Sequence, residues 1–147
     1  MAIKVGARME GLAELRAALG AGAAELDAGI DNAINATGLE IRTEIIRQYN
    51  SGPASGRVYQ KYNPRRTHQA SAPGQAPMTD TGQLANETAF RRVGPLTVEV
   101  ANRLQYAAAL EYGTATIRQR PVWRQVALEA EPKLKRRLET TVAAFTR

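Results

Sequence analysis

Apolar side chains recur every three or four residues in two long stretches of this chain. The first runs from about Glu25 to Tyr49, and the second begins near Pro121 and continues to Phe145. A stripe with this period is typical of an amphipathic helix that packs one face against a core, so the sequence predicts two long helices. The stripes consist of Leu26, Ile30, Ala33, Ile34, Thr37, Ile41, Ile45 and Tyr49 in the first helix, and of Trp123, Val126, Ala127, Ala130, Leu134, Leu138, Val142 and Phe145 in the second.

Two residues disturb the pattern of these helices. Gly38 lies inside the first, where glycine costs roughly 1 kcal/mol relative to alanine, and this indicates a close backbone contact or a bend. Pro132 lies inside the second and has no amide hydrogen to donate to the preceding turn. We therefore expect a kink or a break between Glu131 and Pro132.

A different period marks the strands. Leu96, Val98 and Val100 alternate with small or polar residues, as in a half-buried strand, and residues 86–93 supply a partner across the turn Gly94-Pro95. Arg91 and Arg92 are adjacent in that partner, so one of them must face solvent or an interface. A further short strand is predicted for residues 2–5.

Short helices complete the expected elements. Residues 11–19 have helical spacing, a brief helix follows an N-cap at Thr79, Asp80 or Thr81, and residues 105–112 form a helix that Gly113 ends. The fold class that follows is α+β, with two long helices packed on a small antiparallel sheet.

Residues 51–80 contain four of the seven prolines and show no sustained period. Loops of this length are uncommon in compact domains and usually carry a function. We expect a single domain, 1–147, in which 51–80 is a long extended loop or arm. Its run Val58–Tyr62 is interpreted as extended or as paired with a neighbour.

Composition limits the classes of protein that fit. Hydrophobic residues make up 44% of the chain but aromatic residues only 5%, so the core should be thin, and contacts with further copies should add stability. There is no cysteine, which excludes disulfides and thiolate sites. We expect a soluble chain without signal peptide or membrane span, because no apolar run is long enough.

Charge is distributed unevenly along the chain. The net charge is −2 over residues 1–50, +3 over 51–80 and +5 over 81–147, which together make +6. A basic chain of this kind fits an acidic partner, either nucleic acid or a protein surface.

Candidate catalytic residues are few. His68 is the only histidine, and the sequence offers it no cysteine and only Asp80 as a distant carboxylate. The acidic pairs Asp27 with Asp31 and Glu40 with Glu44 are spaced as on a solvated helix face. We predict no enzymatic activity, no metal and no cofactor, although a small hydrolase or nuclease centred on His68 is a hypothesis to be tested.

Two groups of basic residues have different interpretations. In the arm, Arg57, Lys61, Arg65 and Arg66 are interleaved with Tyr59 and Tyr62. Arginine and tyrosine are enriched at protein interfaces, and the same mixture can stack on bases and neutralise phosphates. The protein interface is favoured because no nucleic-acid module accompanies the charges. The second group, Lys133, Lys135, Arg136 and Arg137, is typical of a solvated helix face.

An ordered set of short motifs covers about half of the chain, roughly residues 57 to 128. The motifs are Ala70–Pro73 with Pro77, Thr81-Gly82 with Leu84, Tyr106-Ala107, Glu111-Tyr112-Gly113-Thr114, and Arg120-Pro121 with Trp123. Together they resemble the small head–tail joining, neck and tail-completion proteins of long-tailed bacteriophages and prophages. Val122 precedes Trp123 where that family commonly has phenylalanine directly after arginine-proline.

The resemblance implies a virion protein, assembled in the host cytoplasm, that forms a ring around the DNA channel. The ring would be six-fold, with twelve-fold as the alternative, and would contact head-closure or connector proteins on one side and tail-terminator or tail-tube proteins on the other. Apart from the resemblance, the glycine turn after Tyr112 either brings Glu111 near Arg118 or Arg120 or simply caps the end of the short helix, and Trp123 is expected to be buried against the hairpin. The residues expected at subunit or partner contacts are Arg57, Tyr59, Lys61, Tyr62, Arg65, Arg66, Glu111, Tyr112, Arg118, Arg120 and Trp123.

Overall fold

Two long helices and a small antiparallel sheet form the body of the chain, so the predicted α+β class is confirmed. The computed structural model describes residues 1–146. The elements are β1 (Ala2–Gly6), α1 (Leu12–Leu19), α2 (Ala23–Ser51), β2 (Val58–Tyr62), β3 (Arg65–Gln69), α3 (Gln83–Asn86), β4 (Thr88–Gly94), β5 (Thr97–Asn102), α4 (Gln105–Tyr112) and α5 (Trp123–Phe145).

The sheet of the body has three antiparallel strands in the order β1-β5-β4. Val100 at its centre pairs with Ile3 on one side and Phe90 on the other, while Val98 pairs with Val5. Alternation along each strand turns these apolar side chains to one face, where Val98 and Val100 are fully buried. Helix α2 packs against this face.

Gly38 marks the closest approach of α2 to the sheet. A Cβ atom at this position would lie 2.6 Å from Val98 Cγ2 and 2.7 Å from Phe90 Cε2. The helix can come this near only because residue 38 has no side chain. The interpretation of Gly38 as a close contact is therefore confirmed.

Helix α5 packs along α2 and continues through Pro132 as one element. Of the two predicted outcomes at this proline, the break is wrong, and the kink stays a prediction. The carbonyl of Leu128 loses its helical donor, but Leu128 is 62% exposed, so water can replace the bond.

Arg137 links α5 to α2. Its Nη1 donates to Thr37 Oγ1 of α2 at 2.9 Å, and Arg137 also pairs with Glu40. Arg137 therefore joins two helices, which differs from its predicted solvated position.

The adjacent arginines of β4 point in opposite directions. Arg91 Nε donates to Glu99 Oε1 on the outer face of the sheet at 2.8 Å. Arg92 forms two hydrogen bonds with Asp31 of α2, both 2.6 Å. Each charge thus has a partner within the chain.

The short elements agree with the sequence in most respects. Strand β1 and helices α1 and α4 lie where they were expected. The N-cap of α3 is a correction, because it is Gly82, with a φ of 80°, and none of the hydroxyl or carboxylate residues before it caps the helix. Glycine reaches that left-handed conformation at little cost.

Residues 51–80 are more regular than the sequence indicated. Strand β2 is extended as expected, but its partner is β3 of the same chain, joined through a turn at Asn63-Pro64. Two further bonds lengthen the hairpin, from Gly56 N to Ala70 O at 2.7 Å and from Ala70 N to Arg57 O at 3.0 Å. From here on, the name arm is restricted to residues 56–70, the part of the loop 51–80 that forms this hairpin. No helix within residues 1–146 is long and apolar enough to cross a membrane.

Candidate interaction surface

The inner face of the arm is bound to the body through one carboxylate. Lys61 Nζ lies 3.0 Å from Asp80 Oδ2, Arg66 forms a second ion pair with the same side chain, and His68 Nδ1 lies 3.6 Å from Asp80 Oδ1. Lys61, Arg66 and His68 share a face of the hairpin, since Lys61 pairs with Arg66 and His68 lies two residues further along β3. Asp80 thus anchors the arm.

These cations change the acidity of Asp80. The hydrogen bond from Lys61 lowers the pKa of the Asp80 carboxyl, and Arg66 and His68 act in the same direction against an opposing effect of burial. The carboxylate is therefore retained in its charged form, which suits an anchor of ion pairs. The sequence suggested that Asp80 lies far from His68, and the 3.6 Å contact between His68 Nδ1 and Asp80 Oδ1 corrects this expectation.

The outer face of the arm is entirely exposed. Register and alternation place six side chains there, none of which the body covers. Tyr62 is 79% exposed and Val58 is 55% exposed, while Arg65 has no ion pair within residues 1–146. The six residues are Val58, Gln60, Tyr62, Arg65, Thr67 and Gln69.

Two predicted contact residues lie at the base of the arm. The guanidinium carbon of Arg57 lies 5.4 Å from the centroid of the Tyr59 ring, within range of a cation–π interaction. Stacking of this kind holds the arginine side chain against the hairpin while its charge stays available. Both residues are exposed.

Glu111 has a role that the sequence did not predict. Its Oε2 accepts hydrogen bonds from Val122 N at 2.7 Å and Trp123 N at 3.0 Å, and its Oε1 accepts one from Arg124 N at 2.9 Å. A carboxylate at this point satisfies amides of the first turn of α5 and faces the positive end of the helix dipole. Only 4% of Glu111 is exposed, so the predicted contacts with another subunit and with Arg118 or Arg120 are wrong.

Trp123 is also buried inside the subunit, with 2% exposed. Its indole Nε1 donates to the Tyr49 hydroxyl of α2 at 2.6 Å, so the prediction that Trp123 contacts another chain is wrong. The sequence predicted burial of Trp123 against the hairpin of β4 and β5, whereas its side-chain hydrogen bond is to α2. Burial raises the pKa of the Tyr49 phenol to about 12, and the negative charge of Glu111 acts in the same direction.

The segment between α4 and α5 presents the remaining predicted contact residues. Tyr112 is 65% exposed and Arg118 is exposed, as a surface role requires. Arg120 is half-buried and donates from Nη2 to Ser71 O at 3.2 Å, which ties this segment to the base of the arm. We call residues 111–124 the joining segment.

A cleft of about 420 Å³ opens between the arm, α3, α4 and the joining segment. Motifs that lie far apart in the sequence meet here, because its lining includes residues from all but one of the motif groups that carry the family resemblance. The lining combines apolar side chains with three buried polar atoms that have no hydrogen-bond partner within the described part of the chain, Thr79 Oγ1, Asp80 Oδ1 and Arg120 Nε. Asp80 Oδ1 has ionic contacts with Arg66 and His68, which leaves Thr79 Oγ1 and Arg120 Nε without any partner there. The apolar lining comprises Tyr59, Pro77, Met78, Leu84, Tyr106 and Leu110.

Sequence reasoning missed Asp80, Thr79 and Tyr106 as parts of one site. Asp80 follows Met78 and Thr79 in a segment without periodicity, and only the fold brings it against the arm. The one available signal was charge, because Asp80 is the only acidic residue of a basic stretch.

A catalytic interpretation of His68 gains a nearby carboxylate but no further partner in residues 1–146. Asp80 also forms ion pairs with Lys61 and Arg66, and the buried Ser71 makes no hydrogen bond to the imidazole within these residues. Within that range, no three histidine, cysteine or acidic side chains are grouped to hold a metal ion.

Comparisons with known proteins add no family to this description. No protein-family model, no curated protein and no solved structure matches the chain.

Proposed function

We propose that this chain is a structural subunit of the neck or tail of a long-tailed bacteriophage or prophage. In this proposal it joins head to tail as one member of a ring around the DNA channel. The ring has six copies, with twelve as the alternative, and its neighbours are head-closure or connector proteins and tail-terminator or tail-tube proteins.

One observation carries the proposal. Among residues 1–146, nine large apolar side chains are exposed, and five of them lie in the arm and the joining segment. Exposed apolar and tyrosine side chains clustered in this way are typical of a surface that another protein covers. The five are Val58, Tyr59, Tyr62, Tyr112 and Ile117.

The geometry of the arm supports a contact between unlike surfaces. The outer face of the arm differs from the surface that it would reach on a neighbour, and heterologous contacts of this kind close into rings when the rotation between subunits closes. The isolated hairpin also gains from such a contact, since two strands alone are marginally stable in water.

Virions assembled without this chain test the proposal. We expect electron micrographs to show filled heads beside detached tails, because the joint is missing. Wild-type protein supplied separately should restore joined particles. Intact virions of normal infectivity in its absence would contradict the proposed role.

Binding of nucleic acid is the second candidate. Arg57, stacked on Tyr59, and Arg65, which has no ion pair among residues 1–146, favour it, whereas Lys61 and Arg66 share an ion pair with Asp80. Titration with DNA at two salt concentrations separates the candidates, since binding driven by phosphates falls steeply as salt rises.

A further inference from the structure

We propose that the cleft receives the tip of the arm from a second copy of this chain, with Tyr62 as the inserted side chain. This inference rests on the proposed function and specifies which two surfaces meet in the ring. It follows from three observations about the cleft and the arm.

The first observation concerns polar atoms. Thr79 Oγ1 and Arg120 Nε are buried at the cleft without partners among residues 1–146, and a buried polar group that lacks a partner destabilises the structure. A phenol hydroxyl both donates and accepts one hydrogen bond. It can accept from the guanidinium and donate to the threonine, so a tyrosine complements both atoms.

The second observation concerns size and exposure. A volume of about 420 Å³ with an apolar lining is ample for one aromatic ring. Tyr62, at 79%, is the most exposed of the large apolar side chains in residues 1–146. Large aromatic side chains that fill a pocket are the residues on which binding affinity most often depends.

The third observation concerns charge. Arg65 lies directly across the hairpin from Tyr62 and has no ion pair among the described residues. Glu87 is exposed, likewise has no ion pair there, and donates its backbone N–H to Gln83 O, one turn away on the wall of the cleft. The tip of the arm thus brings a cation beside its aromatic ring, and the cleft has a carboxylate near it.

The chain cannot fill its own cleft with Tyr62. Tyr59 already lines the cleft, and Tyr62 lies three residues further along β2, roughly 10 Å away at the usual rise of a strand. It also lies on the face opposite to the one that Asp80 binds. The occupant is therefore a neighbouring subunit, in a head-to-tail arrangement.

Crosslinking tests this contact directly, because the chain has no cysteine of its own. Gln60→Cys, on the same exposed face of the arm as Tyr62, and Thr81→Cys are made in separate proteins that keep Tyr62, mixed, and treated with a short bismaleimide. We expect crosslinked dimers joined between positions 60 and 81, and a ladder of larger products from the variant that carries both changes. Thr81 is exposed and lines the cleft, so neither change disturbs the core.

The matched control mixes Leu128→Cys with Thr81→Cys, since Leu128 is 62% exposed on α5 and belongs neither to the arm nor to the lining of the cleft. Crosslinking at position 60 no greater than in this control overturns the inference. If the protein is nevertheless a ring by mass, the proposed function stands and only the contact is wrong. A protein that stays monomeric at all concentrations contradicts both.

A second measurement does not depend on cysteine. Tyr62→Ala should weaken association of subunits by about 30-fold or more, as loss of an interface anchor does. Tyr62→Phe should weaken it by about ten-fold, because the two buried polar atoms again lack a partner. Leu128→Ala should change the association of subunits by less than about two-fold, because substitutions at exposed positions usually have small effects. Equal effects of all three changes would overturn the inference.

Discussion

Glu111 shows how one side chain can determine where a helix begins. It accepts three backbone hydrogen bonds at the start of α5 and is almost fully buried. Glu111→Ala should lower the free energy of unfolding by about 3 kcal/mol, because these amides lose a charged acceptor. Chemical denaturation measures the change.

Glu131→Ala is the matched control, since it removes the same group from an exposed position on α5. Its effect should stay within about 0.5 kcal/mol. Equal stabilities of the two variants would show that Glu111 does not cap the helix.

Tyr49 makes the stability of the chain depend on alkaline pH. The pKa of its phenol is raised from 10.0 to about 12, so the folded state favours the neutral form. The resulting stability is fully present below pH 10 and is lost as the pH rises towards 12. Tyr49→Phe should abolish this component, about 2–3 kcal/mol of pH dependence over that range. Parallel pH profiles for the two proteins would contradict the assignment.

Gly38 tests the packing of α2 on the sheet. Gly38→Ala places a methyl group within 3 Å of Val98 and Phe90, and overpacking of about 1–3 kcal/mol should outweigh the gain of roughly 1 kcal/mol in helix propensity. Thermal unfolding should show a lower midpoint. Gly22→Ala, whose Cβ meets only Leu19 Cβ at 3.8 Å, should leave the midpoint unchanged or raise it.

At the scale of elements, the arm is held by the ion pairs of Asp80. Asp80→Asn should release the hairpin and accelerate its hydrogen exchange about ten-fold or more, while the exchange of α2 stays unchanged. The pKa of Asp80 is lowered from 3.8, so the anchoring is present above pH 3.8 and is lost as the pH falls below it. Acidification should therefore reproduce the effect of the substitution.

Glu129→Gln serves as the control, because Glu129 is exposed on α5 and has no ion pair in residues 1–146. Exchange in the arm should not change in this variant. An arm that is equally protected in Asp80→Asn would show that its other contacts suffice.

The elements that the sequence predicted well are those in which burial of one face alone determines the spacing of the apolar residues. Helix α2 and the pair of strands β4 and β5 bury one apolar face, and α4 has the predicted bounds, 105–112. Strand β3 was missed because its sequence, Arg65–Gln69, has no apolar alternation. It folds as a strand through pairing with β2 and through the charged contact with Asp80, which local pattern does not record.

The site could be predicted only in part for a related reason. Tyr62, Arg65, Tyr112 and Arg118 are exposed, as contact residues must be. Glu111 belongs to the same motif as Tyr112, and Trp123 to the motif that follows it, yet both make hydrogen bonds inside the subunit itself. A motif does not distinguish residues that bind a partner from those that hold the binding surface in shape.

At the scale of the whole molecule, we propose that the subunit works in a closed ring whose contacts are made by its arm and its cleft. Native mass spectrometry of the purified chain, at concentrations up to those of an assembling virion, measures this directly. We predict a discrete species of six copies of the 16.0 kDa chain, about 96 kDa, or of twelve copies, which Tyr62→Ala dissociates. A single 16.0 kDa species at every concentration, alone and with neighbouring neck proteins, would contradict the account.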